Sequence, residues 1–238
     1  LEAYGETTVN YNRDIEIFPV LSAIFERIYG KNPYKSPTDM GVNMAGNCIC
    51  DDEVCRQASL QEIIRRYYDT MDRFIMGSCS QDEVRKIEML MSQTGITVHD
   101  RPVVDAALER AEATNAPAAA LELPDGHIVT GKTSSLLGAS AALLLNALKE
   151  LAGIDHDCHV ISPSAIEPIQ KLKVDYLGSQ NPRLHTDEVL IALSISAATD
   201  RQAQKALEQL PKLKGCQAHT SVMLSAVDIN QFKKLAIQ

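Results

Sequence analysis

The sequence predicts an α/β protein: a mostly helical N-terminal part (residues 1–100) followed by an α/β/α mixed-sheet domain (101–238). Three observations carry that expectation. Before residue 100 the apolar residues recur at helical intervals, as in Val20, Leu21, Ile24, Phe25 and Ile28. After it, short strand-like runs flank turn residues, first around Pro124-Asp125-Gly126. Finally, Glu188 to Ser196 is apolar on both faces at first, as a central strand would be.

Taken in order, residues 1–50 read as a polar lead-in around one apolar helix, Pro19 to Tyr29, stopped by Gly30. A Pro-rich loop covers Lys31 to Asp39, and a long helix spans Asp52 to Met76 before Gly77. Ser80-Gln81-Asp82-Glu83 is a capping box for a helix closed by Gly95. Pro102 opens a helix to Thr114. The second half then gives a hairpin (118–130), a helix (135–152), a strand (158–161), a helix (164–171), a strand (188–196), a helix (200–210) and a strand (218–225), with a last helix from near Asp228.

Composition narrows the function classes. The chain has 238 residues, 45% of them apolar and 23% charged, which suits a globular protein of one large or two small domains. With a net charge of −8 and no basic cluster larger than Arg65-Arg66, a nucleic-acid partner is not expected. The most apolar stretch, around Ala139 to Leu145, is too short to span a bilayer, so no membrane partner is expected either. The six cysteines are unevenly spaced, unlike a disulfide framework, which points to a reducing cytoplasm. Because Leu1 is not an initiator methionine, an N-terminal part is expected to precede it.

Gly126 to Thr133 formally matches the phosphate-binding G-x-x-x-x-G-K-[ST] pattern. Its interior, His-Ile-Val-Thr, is β-branched and favours a strand over a loop that wraps phosphate. A weaker expectation places Lys132, Thr133 and Ser134 at a helix N-terminus, where an anion is favoured. Cys48, Cys50 and Cys55 lack the paired spacing of a zinc site, and His156-Asp157-Cys158-His159 alternates faces at a strand start, so no metal is expected. Two polar clusters are the better candidates: Asn10 to Asp14, and Asn181 to Asp187 in a loop feeding a strand.

The strings TTVNYNRDIEIFPVL (7–21), YKSPTDMGVNMAG (34–46), EIIRRYY (62–68), LPDGHIVTGKTS (123–134) and LGSQNPRLHTDEVLIAL (177–193) resemble an uncharacterised bacterial family, domain of unknown function 1846, also known as uncharacterised protein family 0371. The resemblance covers essentially the whole chain. It implies that the chain is the C-terminal half of a longer, nucleotide-dependent cytoplasmic protein whose N-terminal half holds a Gly-rich nucleotide-binding domain. The residues it carries over are Asn10, Asn12, Arg13, Asp14, Asp39, Asn43, Lys132, Arg183 and His185 as a cofactor-binding set, for a nucleotide or phosphate ligand. It assigns no catalytic residue and no secure activity. The rival expectation is a non-catalytic module for self-association, a homo-oligomer in either case. The order of elements after residue 100 also resembles the cytidine-deaminase-like fold, with Ser162-Pro163 where deaminases start a zinc-bearing helix. Gly138, Ala139 and Ser140, then Ser164, Ala165 and Ile166, stand where its ligands belong, which implies a scaffold without zinc.

Overall fold

The computed structural model describes residues 11–33 and 52–238, and it divides the chain into two compact units, Leu1–Arg101 and Pro102–Gln238. The first unit, where described, is helical. Helix α1 spans Tyr11–Tyr29, α2 Asp52–Ile75 and α3 Gln81–Thr94. Phe18, Ile63, Ile64, Leu90, Met91 and Ile96 form its core. Each side of the Ser80 capping box is present, and Gly95 closes α3 at φ 70°, where a Cβ would be strained. Helix α1 begins well before Pro19 and runs through it, so Asn12, Arg13 and Asp14 are helical rather than part of a lead-in. Their side chains, and all of Asn10, Asp39, Asn43, Cys48 and Cys50, lie outside the described residues.

The second unit is an α/β structure. Helix α4 (Pro102–Thr114) leads into β1 (Ala118–Glu122) and β2 (Ile128–Lys132), an antiparallel hairpin paired from Ala118↔Lys132 to Glu122↔Ile128. Its turn is the Pro124-Asp125-Gly126 segment: Leu123 N–H donates to His127 O at 2.8 Å, and Gly126 sits at φ 85°. Helix α5 (Ala139–Ala152), α6 (Pro163–Lys171), α7 (Thr186–Ala197) and α8 (Arg201–Leu207) follow, then β3 (Gln217–Thr220) and α9 (Ala226–Lys234). The sheet order is β2-β1-β3, and β1 pairs antiparallel with both neighbours.

Successive residues of β1 face opposite sides, as the pleat requires. Ala119 and Leu121 pack into the larger core with Leu143, Leu144 and Leu148 of α5. Ala120 packs the other way, against Val103 and Ala107 of α4. Helices therefore cover both faces of a small sheet, and its central strand β1 is buried from Ala118 to Leu121.

Three expectations for this unit are corrected. Residues 188–196 are not a central strand but most of α7, with Val189, Ala192 and Leu193 inward and Ile191 and Ile195 outward, a helical repeat. Residues 158–161 form no strand, and the expected strand at 218–225 is β3, shorter and antiparallel. Without a parallel pair of strands there is no mixed sheet and no right-handed crossover within it, so the cytidine-deaminase-like architecture is overturned. No helix among the described residues is long and apolar enough to cross a membrane.

Candidate functional site

The P-loop pattern dissolves into the hairpin. Gly126 serves the turn, residues 128–132 are β2, and Gly131 lies so close to α5 that a Cβ there would stand 2.2 Å from Leu143 N. Its glycine thus answers helix–sheet packing, not a phosphate. Nor do Lys132 to Ser134 begin a helix: α5 starts at Ala139 with Gly138 as its N-cap, and residues 133–137 are a loop. In that loop Ser134 Oγ accepts the N–H groups of Leu136 and Leu137 at 3.2 and 3.1 Å.

What joins this loop to the second sequence cluster is backbone pairing. Leu184 N–H donates to Leu136 O, and Gly138 N–H donates to Leu184 O, a one-residue parallel bridge between Leu137 and Leu184. Leu184 is fully buried. Because side chains alternate along an extended segment, Arg183 and His185 share the opposite, outer side. Arg183 Nε donates to Ser134 O at 2.7 Å, and its terminal nitrogens have no partner among the described residues. Lys132 is exposed on the segment that leads into Ser134.

His185 is the N-cap of α7. Its Nδ1 lies 3.2 Å from Asp228 Oδ2, in the first turn of α9. Asp228 Oδ1 accepts Thr186 N–H at 3.0 Å and Thr186 Oγ1 at 2.9 Å, while Ser225 Oγ donates to Oδ2 at 2.8 Å. Burial works to raise the Asp228 carboxyl, but these donors together outweigh it and hold the group below its ordinary value. The carboxylate also sits at two helix N-termini, which favours its charge.

Beneath His185 is an ion pair. Lys173 Nζ donates to Glu188 Oε2 at 2.7 Å and to Arg183 O at 2.6 Å, and Glu188 Oε2 also accepts His185 N–H at 2.8 Å. Lys173 comes from a π-helical turn, Leu172–Tyr176, a local distortion frequent near functional sites. Glu188 and Asp228 are thus committed to internal partners, whereas Lys132 and the terminal guanidinium of Arg183 face outward. The structure brings Arg183 and His185 together and sets the loop after Lys132 against them. Sequence reasoning passed over Lys173, Ser225 and Asp228, and took in Thr186 only as part of the Asn181 to Asp187 cluster. Ser225-x-x-Asp228 at the start of a helix is a capping signal, and it was the available clue to the carboxylate.

Elsewhere, Cys158 Sγ lies 2.7 Å from Gln202 Oε1, and Lys149 Nζ donates to His156 O. Among the described residues no three or more His, Cys, Asp or Glu side chains converge as a metal site.

The second unit is therefore an α/β module whose polar site is built from two loops and two helix starts. Residues 1–95 match the domain of unknown function DUF1846, N-terminal, and residues 99–238 match its C-terminal domain, so the chain belongs to the DUF1846 family. The implied restriction to a C-terminal half is corrected by the match over 1–95. The chain is 57% identical over 237 residues to a UPF0371 protein of Corynebacterium aurimucosum, covering all of this chain and 48% of that protein. It is 56% identical, with the same coverage, to UPF0371 proteins of Corynebacterium diphtheriae and Streptococcus thermophilus. The chain thus spans about half the length of these relatives.

Proposed function

We propose that the chain supplies the anion-facing part of a nucleotide-dependent cytoplasmic enzyme, with Arg183 and Lys132 receiving a phosphate group of a nucleotide or phosphorylated small molecule. Most of the nucleotide is held by the part of the relatives' length that this chain does not span. One observation carries the reading: Arg183 is fixed by Nε on the Ser134 carbonyl while its terminal nitrogens, on an exposed side chain, have no partner among the described residues. A guanidinium held in this way loses little freedom when it pairs with a phosphate through two parallel hydrogen bonds. The overall negative charge does not oppose this, because Glu188 is paired with Lys173 and the Asp228 oxygens are taken up by internal hydrogen-bond donors.

Calorimetric titration of ATP, GTP and NAD into this chain and into a full-length relative tests the reading. Binding by the relative, with the chain retaining a phosphate affinity that Arg183→Ala lowers at least about tenfold, or ~1.4 kcal/mol, is the expected result. No binding by either protein would contradict it. A second reading, self-association as a homo-oligomer, is favoured by the exposed Ile191 and Ile195 on α7, 59% and 69% exposed. Sedimentation of the chain and of an Ile191→Lys/Ile195→Lys variant separates the two.

A further inference from the structure

We propose that His185 is a proton-transfer group: its Nε2 accepts the proton of a water or hydroxyl delivered beside the anion at Arg183, and Asp228 positions the ring. The inference rests on the anion site proposed above and adds chemistry to it.

The tautomer follows from the hydrogen bonds. Asp228 stays ionised, and an ionised carboxylate only accepts hydrogen bonds. The contact between Nδ1 and Oδ2 therefore requires the proton on Nδ1. In the neutral ring Nε2 then carries the lone pair, and it has no partner among the described residues. The His185 side chain is 31% exposed and that of Asp228 is 10% exposed, so the base is reachable while its anchor is sheltered. When the substrate O–H bond breaks, its proton bonds to Nε2, and the oxygen keeps the electron pair for attack. The imidazolium formed is balanced by the Asp228 carboxylate, and it returns the proton to a leaving oxygen or to solvent.

The arrangement is more than a helix cap. Capping α7 needs an acceptor for Thr186 N–H, which Asp228 Oδ1 already supplies. The other oxygen, Oδ2, holds the His185 ring together with Ser225 Oγ. The other charged groups at this place are occupied: Glu188 takes Lys173 and the His185 N–H, and Asp187 takes Glu188 N–H. Arg183, two residues before His185 and on the same outer side, is the group that would hold an anion next to Nε2.

Two measurements on the chain test the proposal. Long-range proton–nitrogen NMR of histidine-labelled protein is expected to show His185 with the proton on Nδ1 and a bare Nε2. Diethyl pyrocarbonate, which acylates an unprotonated ring nitrogen, is expected to modify His185 at least tenfold faster than His99, His127, His156, His159 and His219. Asp228→Asn should slow that acylation, and inorganic phosphate should slow it in the wild type but not in Arg183→Ala. A proton on Nε2 in the wild type, or acylation no faster than at the other histidines, overturns the proposal even where Asp228→Asn does not fold. The right tautomer and fast acylation without protection by phosphate would uphold the base and instead sink the anion site.

Discussion

Replacing Asp228 by alanine removes one acceptor group from four hydrogen bonds, but their loss is unequal. Ser225 and His185 are partly exposed and can turn to water. Thr186 is fully buried, and both its N–H and its hydroxyl lose their partner. Each stranded buried donor costs about 1–3 kcal/mol, so Asp228→Ala should destabilise the second unit by about 2–6 kcal/mol. In Asp228→Asn the amide oxygen can still serve Thr186, while the amide nitrogen meets the His185 donor, and a cost of about 1–2 kcal/mol is expected. The carboxyl is depressed in the folded state below its ordinary 3.8, so the unfolded chain takes up the proton first. Its stabilisation is therefore complete above the ordinary value and drains away as pH falls below it. Wild type and variant should converge in acid and separate near neutral pH. The assay is urea denaturation followed by circular dichroism, since the chain has no Trp, with hydrogen exchange of the α7 and α9 peptides to assign the transition. A loss under about 1 kcal/mol for Asp228→Ala, with no change in α7 protection, would refute the reasoning.

Gly131→Ala would place a Cβ 2.2 Å from Leu143 N and 2.5 Å from its Cα, backbone atoms that cannot swing aside. It should cost about 3 kcal/mol or more, read as a lowered urea midpoint, the upper end of overpacking effects. Lys173→Ala leaves Glu188 beside His185 without its cation, and strips the Arg183 carbonyl of its donor. About 2–3 kcal/mol is expected, since the pair is mostly buried, together with faster exchange in residues 183–188. Asp200→Ala removes the acceptor for Gln202 N–H and Ala203 N–H at the start of α8, a loss of about 1 kcal/mol by thermal melting.

How much was legible depended on whether the signal was local. The Ser80-Glu83 box, the Pro124-Asp125-Gly126 turn and the Pro102 and Pro163 helix starts are short-range instructions, and the structure follows each of them. Residues 188–196 went the other way because a short apolar run fits a buried helix as well as a strand. The deciding signal lay just upstream, in the acidic first turn Asp187-Glu188, which suits a helix start. Together with the strand expected at 158–161 and the longer strand expected at 218–225, that misreading produced the mixed sheet and the deaminase-like order. Within the site, Arg183 and His185 stood out as polar residues in one loop. Asp228 and Lys173 did not, being 43 and 15 residues from His185 and Glu188, the partners that give them meaning. The pairing of Arg183 with Ser134 spans 49 residues and was equally invisible.

The most direct test of the anion site is to titrate inorganic phosphate into the labelled chain while recording backbone amide and arginine side-chain resonances. The account predicts shifts centred on Arg183, His185, Lys132 and Ser134, with the Arg183 side chain moving most and the response abolished by Arg183→Ala. Shifts concentrated elsewhere, or an unchanged response in that variant, would contradict it.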